Sequence, residues 1–359
     1  MAVYIIMALF LLLGCVVKQT RMVYRFGLFG LLILSALRNP DLGGTDALVY
    51  QEYFRLVPNI FEYKGFQAYG FAIGYGIFNS IVKTFSNDYV VFQIVYSLIC
   101  LFLLNKIVKL LELQENEKCL FIFCYFCFHF IWNTWVTNRQ NIADLIYWLL
   151  LILIYKSIGD NRKKTFFLSI LAIFLPTLFH SSAWVNVVFL PVLILLNKIH
   201  WKAKMIGTIS LSLVLFVFGR NLYNFLISIT AAFIDDYYSV YTLDQSQSSF
   251  LNYVLRLAFF VLFCWRYSVE EYKYKNAVLD ITALMVLIGS VTSVATTRMY
   301  EYYAIGLYTC MALFPHAFAR KSKKLSVLIL GIAMIFILAQ FLNTFDGGHF
   351  LEYNFFFEK

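Results

Sequence analysis

Apolar residues along this chain come in long runs, and polar residues gather in the short stretches between them. The runs cover approximately 2–17, 24–37, 88–105, 119–135, 140–155, 165–179, 182–197, 204–222, 249–265, 276–295, 299–315 and 325–343. Runs of this kind predict helices that are apolar all round, as in a membrane or a fully enclosed core. A crossing takes ~20 residues, so the shorter runs must borrow interfacial neighbours. The stretch 67–84 is apolar too, but Gln67, Gly70, Gly74, Gly76 and Asn79 interrupt it, and it reads as a re-entrant or interfacial element. The expected fold is all-α: one polytopic membrane domain over 1–359 with about twelve transmembrane helices (roughly 11–14). Two larger loops, 38–66 and 223–248, are expected on the outer face.

Composition removes the soluble alternatives. The chain is 61% hydrophobic and 14% charged, with a mean hydropathy of +0.74, a balance that belongs to polytopic membrane proteins. Its net charge of +9 therefore belongs first to orientation and not to nucleic acid. Twenty of the 29 basic residues lie in six short loops: 18–25, 106–118, 156–164, 198–204, 266–275 and 316–324. These are predicted to be cytoplasmic, with both termini outside. Aromatics reach 19%; tyrosines near the ends of runs suit the interfacial belt, and stacking on sugar rings is the alternative. Cys124 and Cys127 have CxxC spacing with His129 just beyond, but a metal or redox site needs exposed thiolates, so small apolar helix residues are the expectation. The first run has no cleavable signal pattern and is expected to stay as a helix.

Orientation leaves a subset of cations unexplained, and these fall near the outer face. The stretch Trp132-Asn133-Thr134-Trp135-Val136-Thr137-Asn138-Arg139-Gln140 sits at the tip of an apolar hairpin, where an arginine among amides needs water or a partner. Arg139 opens the next inward helix, His180-Ser181-Ser182 opens another, Arg256 lies near the start of a third, and Arg298 is expected to open a fourth. A helix N-terminus disfavours a cation by ~0.3–1 kcal/mol but favours a bound anion. Several such sites point to a diffuse, multiply charged anion such as a pyrophosphate.

Each residue also has a purely structural reading. Arg139 could snorkel to headgroups, Arg298 could pair with Glu301, and His180 could be an interfacial histidine beside capping serines. Arg256 has no local acid. Asp144 is either the structural partner of Arg139 or a catalytic acid. In the loop 38–66, Arg38 and Tyr50 flank Gly43-Gly44 and Asp46; Asp46 is either a general base or the N-cap of a helix over 47–56. Asp235-Asp236 in the second loop could bind a cation or a sugar, against the alternative of a solvated loop.

The same residues carry a family resemblance. An Arg-x-x-x-x-Gly-Gly-Thr-Asp-x-x-x-Tyr-like stretch begins at Arg38. It is followed by Arg139-Gln140, His180-Ser181-Ser182-Ala183 and an Arg-x-x-x-Tyr from Arg298 to Tyr302. In this order the chain resembles the EpsG-like family of bacterial exopolysaccharide and O-antigen polymerases. It departs from the family where a Glu-Pro-Gly-like element is usual and Ala68-Tyr69-Gly70-Phe71 stands instead.

The resemblance implies a Wzy-type glycosyltransferase of capsule, exopolysaccharide or O-antigen assembly, multi-pass in the bacterial inner membrane. It would join oligosaccharide repeat units carried on undecaprenyl pyrophosphate at the outer face. Arg139, Arg256 and Arg298 would then bind the pyrophosphate, and Asp46 or His180 would take the acceptor proton. Arg38, Tyr50, Gln140 and Tyr302 would contact substrate. No metal or cofactor is expected. The expected partners are the lipid-linked donor and acceptor, membrane lipid and a chain-length regulator, with no nucleic acid. The alternatives are a single-sugar glycosyltransferase using a polyprenyl-phosphate sugar, and a flippase for lipid-linked oligosaccharides.

Overall fold

In a computed structural model of the chain, every residue is described except 18, 43–45, 67, 234–249, 269, 292–293, 318–322, 345–350 and 359. The described residues form helices joined by short turns, and their only bridge between extended segments pairs Arg38 with Phe355. The chain divides into two units: Met1–Ser181 with Phe318–Lys359, and Ser182–Ala317.

The first unit contains α1 (Ala2–Gly14), α2 (Thr20–Ala36), α3 (Ala47–Leu56), α4 (Ile73–Phe85), α5 (Tyr89–Leu110), α6 (Glu115–Tyr125), α7 (Ile131–Trp135), α8 (Asn138–Ser157) and α9 (Arg162–Thr177). Its boundaries follow local chemistry. The Asp88 carboxylate accepts from the Val90 N–H at 2.9 Å and starts α5; the Asn161 amide does the same for Lys164 at 2.9 Å and starts α9. Glu117 accepts from the Gln114 N–H at 2.7 Å at the start of α6. Pro176 lies in the last turn of α9 and helps to end it. Between α6 and α7 the helix widens into a five-residue π turn, Phe126–Phe130. α8 is buried along most of its length.

The second unit contains α10 (Asn186–Leu196), α11 (Trp201–Phe233), α12 (Phe250–Arg266), α13 (Lys275–Ser290), α14 (Val294–Glu301) and α15 (Ala304–Leu313). α13 is its core element, buried from Ala277 to Ser290 except at Leu287, with α10, α11, α12 and α15 against it. The close approach of α15 rests on Gly306: a Cβ there would lie 2.7 Å from Thr282 Oγ1 and 2.8 Å from the Thr282 nitrogen. The last helix, α16 (Lys323–Thr344), belongs to the first unit and packs on α1. Beyond it the segment 351–358 returns to the end of α2. The Asn39 N–H donates to the Asn354 carbonyl at 2.8 Å, and the Phe356 N–H donates to the Leu37 carbonyl at 3.0 Å.

Every predicted apolar run contains helix, but the count of about twelve spans is not supported. Three helices are long and apolar enough to cross a membrane among the described residues: Tyr89–Leu110, Trp201–Gly219 and Lys324–Thr344. α1, α10 and α15 are apolar but shorter. α8 has the length, yet it carries Arg139, Gln140, Asn141 and Asp144. The stretch 67–84 yields α4, whose 13 residues extend ~20 Å, short of the ~30 Å hydrocarbon core. α11 runs on to Phe233, so residues 223–233 of the expected outer loop are helical, and Asp235-Asp236 fall outside the described residues.

Candidate functional site

Arg139 stands in the first turn of α8, which has no side-chain cap. Its guanidinium lies 3.8 Å from the centre of the Phe71 ring and 5.9 Å from that of Tyr50. Its Nε is buried without a hydrogen-bond partner, and no carboxylate among the described residues pairs with it. An arginine held by aromatic faces keeps its donors for another group. Tyr50 fixes the geometry from α3: its hydroxyl donates to the Val136 carbonyl at 3.1 Å, tying α3 to the turn before α8. Gln140, the neighbour of Arg139, is buried.

Asp144 is not the partner of Arg139. Five residues along a helix is a rotation of ~140°, so the two side chains leave α8 on different faces. Asp144 points to the interior, with its Oδ2 3.9 Å from His129 Nε2 and both residues fully buried. His129 Nδ1 meets Asn133 Nδ2 at 2.9 Å, and the Thr137 hydroxyl donates to Asn133 Oδ1 at 2.7 Å. Nearby, Asn141 Nδ2 donates to the Tyr96 hydroxyl at 2.8 Å, and Tyr96 donates to the Asn138 carbonyl at 3.0 Å. The π turn carries His129 into this polar seam, and such turns recur at functional positions. Sequence reasoning passed over it. The signal was the spacing of His129, Asn133, Thr137 and Asn141, four residues apart along an otherwise apolar hairpin.

Asp46 occupies the N-cap position of α3, whose bounds match the predicted helix, but its side chain makes no capping bond. The carboxylate is half-buried and remains available for other chemistry. Arg38, expected to contact substrate, is only 1% exposed. Its guanidinium sits 4.4 Å from the centre of the Trp135 ring and donates to the Leu42 carbonyl. With Ser35, Gln93, Tyr96, Thr134 and Asn138 it lines a cavity of about 30 Å³, room for about one water. Burial pulls its pKa down, and the Tyr4 and Tyr353 phenols act in the opposite direction. His180 is buried just beyond α9, its N–H bonded to the Pro176 carbonyl at 3.0 Å.

The remaining three predicted residues belong to the second unit. Arg256 is buried on α12, its Cζ 3.9 Å from the centre of the Tyr300 ring and its Nη1 3.3 Å from the Gly289 carbonyl. Arg298 does not open a helix: it lies in the last turn of α14, and α15 begins at Ala304. The negative end of the α14 dipole therefore favours its charge. Tyr302 is fully buried, with its hydroxyl 3.0 Å from Ser182 Oγ. Tyr303 donates to Asn186 Oδ1 at 2.7 Å.

A family model described as the EpsG family matches residues 2–355. No curated protein and no solved structure matches the chain.

Proposed function

The chain belongs to the EpsG family, a membrane-protein family of polysaccharide biosynthesis, and from that premise we propose that it is a polysaccharide polymerase. It joins oligosaccharide repeat units carried on undecaprenyl pyrophosphate at the outer face of the bacterial inner membrane. The growing chain leaves its carrier: the bond from its terminal sugar carbon to the pyrophosphate oxygen breaks, and a hydroxyl of the next lipid-linked unit attacks that carbon. The carrier departs as a pyrophosphate, and the hydroxyl proton passes to a base.

Arg139 carries this reading. A guanidinium packed on aromatic rings, with an unbonded Nε, suits a leaving group whose negative charge grows in the transition state. Asp46, with no capping bond to hold its carboxylate, takes the acceptor proton, and His180 is the second candidate. Gln140 and Tyr50 position substrate on either side of Arg139. Arg256, Arg298 and Tyr302 are the second unit's own candidates for contact with pyrophosphate and sugar.

The test is deletion of the gene in its host, with surface polysaccharide resolved on a gel and complementation by wild type, Arg139→Ala or Asp46→Asn. The expected result is a ladder that collapses to a single repeat unit, restored by wild type and not by either variant. Normal chain length with both variants present at wild-type levels refutes the assigned roles. Complete loss of surface sugar, with lipid-linked units held inside, makes the protein a flippase.

A further inference from the structure

Beside Arg139 lies a group of aromatic residues that the polymerase reading leaves without a task. Tyr53 packs its ring 4.6 Å from Phe71, 5.8 Å from Tyr75 and 5.6 Å from Phe66, centre to centre. Tyr69 closes the rim, 6.5 Å from Tyr53, and is 52% exposed. It reaches that place through a left-handed backbone, φ 58°, followed by Gly70 at φ 63°. A bulky residue in this region costs ~1–2 kcal/mol, and such strain concentrates at ligand-binding sites.

The floor of the group is polar. The hydroxyls of Tyr53, Tyr63 and Tyr75 and the Oδ1 of Asn79 are all buried with no hydrogen-bond partner. Tyr53, Tyr75 and Asn79 are at 2% exposure or less. Two of the hydroxyls converge: a Cβ placed on Gly76 would lie 2.3 Å from Tyr63 Oη and 2.8 Å from Tyr53 Oη. The missing side chain at Gly76 therefore makes room for both phenol tips. Buried polar atoms are nearly always paired in folded proteins, and four within one aromatic group call for an occupant.

The chemistry narrows the occupant. A metal ion is disfavoured because neutral phenols and an amide are poor ligands, and a lipid tail would leave every hydroxyl unpaired. Of the nearby cations, Arg55 is paired with Glu52, which leaves Arg139 alone to meet a multiply charged anion. The chemistry of a pyranose matches this lining: its C–H faces pack on aromatic rings, and its hydroxyls both donate to and accept from phenols. We propose that Tyr53, Tyr63, Tyr75 and Asn79, beneath Phe71 and Tyr69, bind the single sugar next to the phosphate held by Arg139. The phosphate half of this statement rests on the polymerase reading; the sugar half rests on the tyrosines.

The test is binding by the purified full chain in nanodiscs, by calorimetry. The probes are bare undecaprenyl pyrophosphate and the same carrier bearing glucose, galactose or their N-acetylamino forms. The Tyr53→Phe/Tyr63→Phe double variant keeps both rings and removes only unpaired hydroxyls, so its melting temperature should equal or exceed that of wild type. At least one sugar-bearing probe should bind wild type more tightly than the bare carrier. The double variant should lose about tenfold on that probe and nothing on the bare carrier. The sugar site is overturned if no sugar improves binding, if the double variant binds all probes as wild type does, or if it loses equally on both kinds of probe. Polymer formation is not the readout, so a failed ladder experiment leaves this result standing, and a failed sugar site leaves the polymerase intact.

Discussion

Lys204 of α11 and Asp280 of α13 lie 2.5 Å apart inside the second unit, at 4% and 0% exposure. Lys204, expected in the loop 198–204, lies instead in the first turn of α11 with its ammonium turned inward. Removing one partner strands the other in a poorly solvated place, at about 3–5 kcal/mol, whereas an apolar pair of similar size is tolerated. Lys204→Met and Asp280→Leu should each abolish monodisperse protein in detergent. The double variant should recover most of it, as size-exclusion chromatography and thermal melting will show.

Gly306→Ala should destabilise the second unit by about 1–3 kcal/mol, because the added methyl meets the Thr282 backbone nitrogen and cannot be relieved by turning a side chain. Gly207→Ala is the control, since nothing lies within 4 Å of the position its Cβ would take. A melting temperature that falls for the first and holds for the second is the expected pair.

Glu112 follows α5 with φ 56° and forms an exposed ion pair with Lys156 at 2.6 Å. The left-handed turn after a helix is ordinarily a glycine position. Glu112→Gly removes ~1–2 kcal/mol of strain and gives up a surface pair that contributes ~0–1 kcal/mol. Glu112→Ala loses the pair and keeps the strain. The melting order should be Gly at or above wild type and Ala below it.

Cys124 and Cys127 are free thiols buried in the first unit. Neither should react with a maleimide in the native protein, and both should react once it is denatured. Mass spectrometry of labelled peptides, before and after denaturation, decides it. Rapid native labelling at Cys124 would contradict the packing of α6.

Much of the helical framework was legible because runs of apolar residues leave little choice but helix. The position of Asp46 before α3 was equally legible, since a turn residue ahead of an apolar segment is a local signal. Burial was not. Arg38, Lys204 and Asp144 look alike in sequence to solvated charges; only the neighbours brought in from distant segments (Trp135, Asp280, His129) place them inside. The span count is unsupported for a related reason. Hydropathy averages over a helix, and α8 hides its polar residues among its own neighbours. The element read as a departure from the family, Ala68-Tyr69-Gly70-Phe71, carries the ring that holds Arg139 and the strained residue at the rim. A pattern of residue types could not show that, because the backbone angle at Tyr69 is set by its surroundings.

The first unit is built from the two ends of the sequence. The loop after α2 is stitched to residues 354–356, and the amino group of Met1 donates to the Leu351 carbonyl. During synthesis α1 and α2 emerge long before their pairing segment exists, while the whole second unit is made in between. The ribosome must therefore reach residues 354–356 before the loop bearing Arg38 can close. A nascent chain stalled or truncated after α15 would hold every helix of the second unit while the loop after α2 still lacks the segment that pairs with it.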